Sequence, residues 1–255
     1  MRPSARLVVL GKKLWTPVQM STALWLDAAD SSTVTLNGGN VSQWNDKSGN
    51  GRHVSQSTAA NQPTYTASGL NRKPVLTFDG INDFLVSNAG TYGPNISIFA
   101  VAQQNGGSSY QRIVNIGSSV DFFGFFGSFN GSFATFFGNG ASWNDTTANT
   151  PSIAVTSARV LGVVNPTSGT AATPYVDGTA QNTKVGTMGT ANGVLIGSAH
   201  VNSQFWSGIV PEIIIVNSAV TAAIGQLIGG YFAWKWELTA NLSNDHPFKF
   251  NPPLA

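Results

Sequence analysis

Cysteine is absent from this chain of 255 residues, which excludes a disulfide framework and any thiolate metal site. Charge is scarce too: 9% of residues are Asp, Glu, Lys or Arg, against ~25% in ordinary soluble domains. Ser, Thr, Asn, Gln and Gly must therefore keep the surface wet, and little repulsion holds copies of the chain apart. Long apolar runs are missing. Leu7 to Leu10 is stopped by Lys12 and Lys13, short of the ~7–15 residues of a signal-peptide core. Gln226 and Lys235 interrupt the best candidate for a membrane span, which needs ~18 apolar residues. A basic stripe is missing as well. Arg2, Arg6, Lys12 and Lys13 carry four of the thirteen cations, so the rest of the chain, with nine cations against eleven acids, stands at −2. The body of the protein is thus not expected to bind nucleic acid.

The chain is rich instead in short apolar runs broken by Gly, Asn, Asp and Ser. Between Leu24 and Leu85 this spacing predicts sandwich strands joined by loops. Ile96, Ile98 and Ala100 alternate with Ser97, Phe99 and Val101, a strand buried on both faces. Tyr175-Val176-Asp177-Gly178 ends an alternating run on an Asp-Gly pair and predicts a tight hairpin. Eight of the fifteen Phe fall between residues 121 and 138, interleaved with Gly. They are read as paired strands filling a concave core, or as an apolar patch that docks on a neighbour. Gly140 to Thr150 is read as a polar loop. One helix is expected after Val220, capped by Thr221, with Gly229 and Gly230 allowing close approach to a sheet. The organisation expected is a basic arm over 1–21, one domain over 22–247 and a Pro-rich tail over 248–255.

Several of these stretches resemble laminin-G-like, concanavalin-A-like jelly-roll domains. They are Leu24-Trp25-Leu26-Asp27-Ala28, the run Val41 to Gly51 with Trp44-Asn45-Asp46-Lys47-Ser48-Gly49, and Phe78-Asp79-Gly80 through Asp83. The Tyr175 hairpin, Val194-Leu195-Ile196-Gly197, and Phe205 to Ile213 with its Glu212-Ile213 close the set. Gly230-Tyr231-Phe232-Ala233-Trp234-Lys235-Trp236 followed by His246-Pro247 resembles the closing helix of jelly rolls in bacteriophage virion proteins and large bacterial surface proteins. The fold so implied is all-β: two antiparallel sheets in a jelly-roll sandwich with one C-terminal helix. Such a fold fixes no function, because it hosts lectins, adhesins, enzymes and spacers alike.

Catalytic sets are thin. Retaining glycosidases need two carboxylates ~5–5.5 Å apart, yet the chain has two glutamates, Glu212 and Glu237, and lacks the Glu-x-Asp-x-x-Glu strand of laminarinase-type enzymes. Glu212 is expected to hydrogen-bond within the sheet. No Gly-x-Ser-x-Gly elbow accompanies His53, His200 or His246. Asp79, Asn82 and Asp83 are the candidate calcium ligands, since the resembled domains often hold Ca2+ at the sandwich rim. The competing reading makes Asp46 and Asp79 turn residues that cap backbone amides. Trp143, Asn144 and Asp145 are the candidate sugar platform, with Trp206 and Tyr110 behind them. Arg2, Arg6, Leu7, Val8, Val9, Lys12 and Lys13 are the candidate partner-binding arm. Together with the resemblance, these readings lead to the expectation of a non-enzymatic bacteriophage virion protein. It would be a capsid (head) decoration or a tail or fibre component, docked on major capsid or tail proteins as a homo-oligomer or in many copies. The alternative is a carbohydrate-binding adhesin that recognises host surface glycans.

Overall fold

The computed structural model describes residues 12–106, 110–117, 124–129, 132–138, 143–145, 154–165, 171–181, 183–185, 189–199 and 203–255. Eighteen strands occur among them. The first nine are β1 (Leu24–Asp27), β2 (Val34–Asn37), β3 (Asn40–Trp44), β4 (Val54–Ser55), β5 (Thr64–Leu70), β6 (Lys73–Asp79), β7 (Leu85–Tyr92), β8 (Ile96–Gln104) and β9 (Tyr110–Ile116). There follow β10 (Gly124–Phe129), β11 (Ser132–Gly138), β12 (Trp143–Asp145), β13 (Arg159–Asn165), β14 (Ala171–Val176), β15 (Thr179–Ala180), β16 (Lys184–Val185), β17 (Ala191–Ile196) and β18 (Ser207–Val216). One α-helix, α1 (Ala222–Lys235), follows the last strand.

Every named pairing is antiparallel, and the pairings sort into two layers. In the back layer β18 is central: β8 lies along one side, and β6 and β1 share the other. β5 extends this layer beyond β6, and β13 and β14 extend it beyond β8. The front layer runs β4, β7, β17, β9, β10, β11, β12. A single rung, Asn40 opposite Thr64, links the layers through β3 and β5. The protein is therefore an all-β sandwich with one C-terminal helix.

Alternation decides which residues fill the space between the layers. Ile98 and Ala100 of β8, Ile213 and Ile215 of β18, and Leu161 and Val163 of β13 meet Leu85, Val114, Ile116, Val194 and Ile196 of the front layer. The intervening residues Phe99, Val101, Ile214 and Val216 face the other way, where Ile228, Tyr231, Phe232 and Trp236 cover them. β8 is thus buried on both faces, as its sequence suggests. Phe133 of the Phe-rich hairpin is buried in the core between the layers.

The Asp177-Gly178 pair makes the expected hairpin. Both residues have positive φ, 49° and 78°, and Val176 pairs with Thr179. Thr221 caps the helix, its hydroxyl accepting the Ile224 amide at 3.4 Å. The helix glycines serve a different partner from the one expected. At Gly230 an added Cβ would lie 2.6–2.7 Å from Phe248, and at Gly229 the nearest neighbour is His246 at 3.8 Å. Both belong to the C-terminal segment, so α1 lies between the back sheet and the tail.

The tail meets the amino-terminal segment. Leu14 and Leu254 form an antiparallel bridge, the Trp15 amide donates to Pro253 O at 2.9 Å, and the Ala255 amide donates to Lys13 O at 2.9 Å. Trp15 is buried and stands edge-on to Tyr231, with ring centroids 5.8 Å apart. Residues 12–21, placed by sequence in the arm, therefore lie against the body. Lys12 and Lys13 are exposed there, whereas Arg2, Arg6, Leu7, Val8 and Val9 lie outside the described residues.

Candidate functional site

The register of β1 against β18 places Asp27 opposite Glu212 on the face that α1 covers. Two acids side by side resemble a hydrolytic pair, so their surroundings decide what they can do. Glu212 is completely buried. Its Oε1 accepts from Trp25 Nε1 and from the Tyr231 hydroxyl, each at 2.8 Å. Its Oε2 accepts from Trp236 Nε1 at 2.8 Å and pairs with Lys235 Nζ at 2.8 Å. Lys235 also reaches Asp27 Oδ1 at 2.7 Å and the Tyr231 hydroxyl at 3.1 Å, which uses all three of its N–H groups. Lys47 closes the other side, 3.0 Å from Asp27 and 2.7 Å from Asp30. Burial pushes the Glu212 carboxyl up, and the Lys235 ammonium pulls it back. Lys47 holds the Asp30 carboxyl below its ordinary value. Both carboxylates are buried, each Glu212 oxygen already holds two partners, and the pair works as a clamp between sheet and helix. Glu212, expected to bond within the sheet, takes one partner from β1, two from α1 and one, Trp236, from the residue that caps the helix.

The acidic loops are turns. Asp46 Oδ1 accepts the Trp25 amide at 3.0 Å and the Ser48 amide at 2.9 Å, and its Oδ2 accepts the Arg52 amide at 3.0 Å and the Ser48 hydroxyl at 2.7 Å. Asp79 Oδ1 accepts the amides of Ile81, Asn82 and Asp83 at 2.8–3.4 Å, while Asp83 Oδ2 accepts the Asp79 amide at 2.9 Å. Burial, with Asp79 nearby, pushes the Asp83 carboxyl up to about 6. Asp79, Asn82 and Asp83 thus share one turn, closed by backbone donors. Among the described residues no group of three or more His, Asp or Glu is placed to hold a metal ion.

Trp143, Asn144 and Asp145 were expected in a loop. Their backbone instead forms β12, paired with β11 at the edge of the front layer, and their side chains lie outside the described residues. Trp206 does not stand behind them as a platform, because it is wholly buried between the layers. Tyr110 is exposed on β9. His53 is exposed and accepts the Asp46 amide at Nδ1, 3.0 Å; His246 is buried against Gly178; His200 lies outside the described residues.

A cleft that the sequence reading does not anticipate opens at the rim where β1 begins and β18 ends. Ser21, Thr22, Ala23, Asn50, Arg52, Val216, Asn217 and Ser218 line its volume of about 290 Å3. Asn50 is fixed by bonds from its Nδ2 to Thr22 O at 2.8 Å and Ala23 O at 3.2 Å. Asn217 is fixed by the Gly93 amide, 2.9 Å from its Oδ1. The Arg52 guanidinium lies 4.9 Å from the centre of the Tyr92 ring. Gly90, at φ +83°, lets it lie there, since a Cβ would be 2.6 Å from Arg52 Cζ. The only sequence sign of this arrangement is the Asn50-Gly51-Arg52 end of the Asp46 loop.

No described protein family and no curated protein matches the chain. Solved structures do. Domain 4 of AbnA, a GH43 extracellular arabinanase from Geobacillus stearothermophilus solved with arabinotriose, is similar with a TM-score of 0.58 and 12% identity, over 80% of this chain and 96% of that one. A GH54 α-L-arabinofuranosidase is similar with a TM-score of 0.60 and 12% identity, over 88% of this chain and 61% of that one. The receptor-binding domain of botulinum neurotoxin type G gives 0.57 and 10%, over 82% and 51%. The chain thus spans all but a little of the first and about half to three-fifths of the other two. At these identities the likeness shows the fold, an all-β sandwich of the jelly-roll kind.

Proposed function

We propose that this chain is a non-catalytic carbohydrate-binding domain, a β-sandwich that holds glycans at its loop rim. The observation that carries the reading is the rim cleft. Hydroxyls, amides and one guanidinium converge there, and two of these groups are already fixed by hydrogen bonds, the pre-arranged polar lining that sugar recognition requires. The buried Asp27–Glu212 clamp supports the absence of turnover, since an acid–base pair must reach the glycosidic oxygen. The neighbours add support, because one was solved with arabinotriose and another is a toxin's receptor-binding domain. The virion reading, with docking on capsid or tail proteins, rests on the resemblance of the closing helix and on the low charge, and the neighbours favour the glycan reading over it. Display in many copies on a surface suits glycan binding, because repetition raises weak affinities. A glycan array probed with the purified protein tests the proposal. At least one glycan class is expected to retain it, and an array with no signal contradicts it.

A further inference from the structure

The cationic member of the rim cleft has features that the remaining lining residues lack. Among the described residues Arg52 enters none of the ion pairs, which use Lys47, Lys73, Arg159 and Lys235. Asp46, six positions before it, already accepts four hydrogen bonds, one of them from the Arg52 backbone amide. The guanidinium Nη1 is buried and the Arg52 charge acts on the Tyr92 hydroxyl, so what the group lacks among the described residues is a carboxylate partner. The group is also held in place: the Tyr92 ring lies against it, and the positive-φ backbone of Gly90 gives it room. A cation held this way by a ring, with no counter-charge among the described residues, is a pre-ordered anchor, because the rotamer entropy of the side chain is already lost before a ligand arrives.

We infer that the cleft is a binding site for a carboxylated sugar residue, of the uronic-acid type, with Arg52 as the carboxylate anchor. This inference rests on the glycan-binding proposal and names its ligand class. The planar fork of a guanidinium matches a carboxylate in two parallel bonds. Around it, Ser21, Thr22 and Ser218 bring hydroxyls, Asn50 and Asn217 bring amides, and Ala23 and Val216 complete the lining. That mixture suits a ring with hydroxyls on its edge and C–H groups on its face. The volume, about 290 Å3, lies just below the ~300–1,000 Å3 of drug-sized ligand clefts and suits a single ring.

The test is calorimetric titration of the full chain with glucuronate and galacturonate, with their neutral parents glucose and galactose, and with inorganic phosphate. One uronate is expected to bind at least about 10-fold more tightly than its parent, as a charge-assisted pair requires, and more tightly than phosphate. Sodium chloride should weaken that binding. R52Q should abolish the preference and R52K should keep part of it, with unfolding midpoints recorded for both. If R52Q does not fold, R52K and the salt dependence of the natural chain carry the test. Equal binding of uronate and parent, phosphate binding as tight as uronate, or full uronate preference in R52Q would overturn the inference. A glycan array that shows neutral glycans alone sinks this inference and leaves the carbohydrate-binding proposal standing, whereas an array with no glycan bound sinks both.

Discussion

Glu212 and Glu237 are chemically identical residues placed in opposite settings. Glu212 is enclosed and receives four donors; Glu237 is exposed and makes one pair with Lys73 at 2.6 Å. In Glu212→Gln one oxygen becomes an NH2 that must face two of those donors, and Lys235 loses half of its counter-charge. A loss of about 3–5 kcal/mol is expected, the cost of breaking a buried pair by removing one member. Glu237→Gln should cost ~0–1 kcal/mol, as exposed pairs do. Denaturant midpoints of the two variants measure both, and similar small losses would contradict the clamp. Asp83 supplies a pH test. Its carboxyl lies at about 6 in the folded protein against an ordinary 3.8, so the native state holds the proton more tightly than the unfolded chain does. Its contribution to stability is therefore full below about pH 4, falls as the pH rises towards about 6, and is lost above that. Asp83→Asn keeps an acceptor for the Asp79 amide and should remove this slope, so the stability difference between the two proteins should change across that window and stay level above it. Parallel pH curves would contradict the assignment. Little of this was legible in the residues themselves. Asp46 and Asp79 were readable as turn formers, because an Asx turn is written in neighbouring positions. The partners of Glu212 were not, since Trp25 and Trp236 lie 187 and 24 positions away.

Helix α1 shows how one element answers to two surfaces. Ile228 and Phe232 pack on the back sheet, while the small residues admit the tail, whose Phe248 carbonyl accepts Trp234 Nε1 at 2.7 Å. Glycine lowers intrinsic helix stability by ~1 kcal/mol relative to alanine, so an alanine replacement separates propensity from packing. Gly225→Ala should be neutral or stabilising by up to ~1 kcal/mol, because its new methyl would meet Phe99 at 3.8–4.0 Å, an ordinary contact. Gly230→Ala should destabilise despite the better propensity, by ~1–3 kcal/mol, because the methyl would overlap Phe248. Thermal unfolding of the pair decides between the two outcomes, and a stabilised Gly230→Ala would show that the tail is not seated on the helix. The helix and its Thr221 cap could be read from local pattern, as could the double-sided strand β8 and the Asp177-Gly178 turn. Which surface required the glycines could not, because Phe248 lies outside the window in which a helical period carries information.

At the scale of the molecule, eighteen described strands form two layers joined at one rung, a helix seals the outer face of the back layer, and the two described chain ends pair with each other over that helix. The layered all-β architecture was readable from strand spacing and from the resembled motifs. The boundary at residue 21 did not mark where packing begins, since Trp15 is already buried against Tyr231. The rim cleft was hidden because it draws on the loop before β1, the loop before β4 and the end of β18, which only the folded chain brings together. The architecture places the paired acids Asp27 and Glu212 under the helix and leaves polar, hydrogen-bond-fixed groups at the rim, and the function proposed above is to hold glycans there without cleaving them. Titration of the protein into a calorimeter with a polysaccharide that it retains on the array tests this most directly. The account predicts heat that saturates with the occupied sites and then returns to baseline. Sustained heat after saturation, matched by the release of new reducing ends, would contradict it.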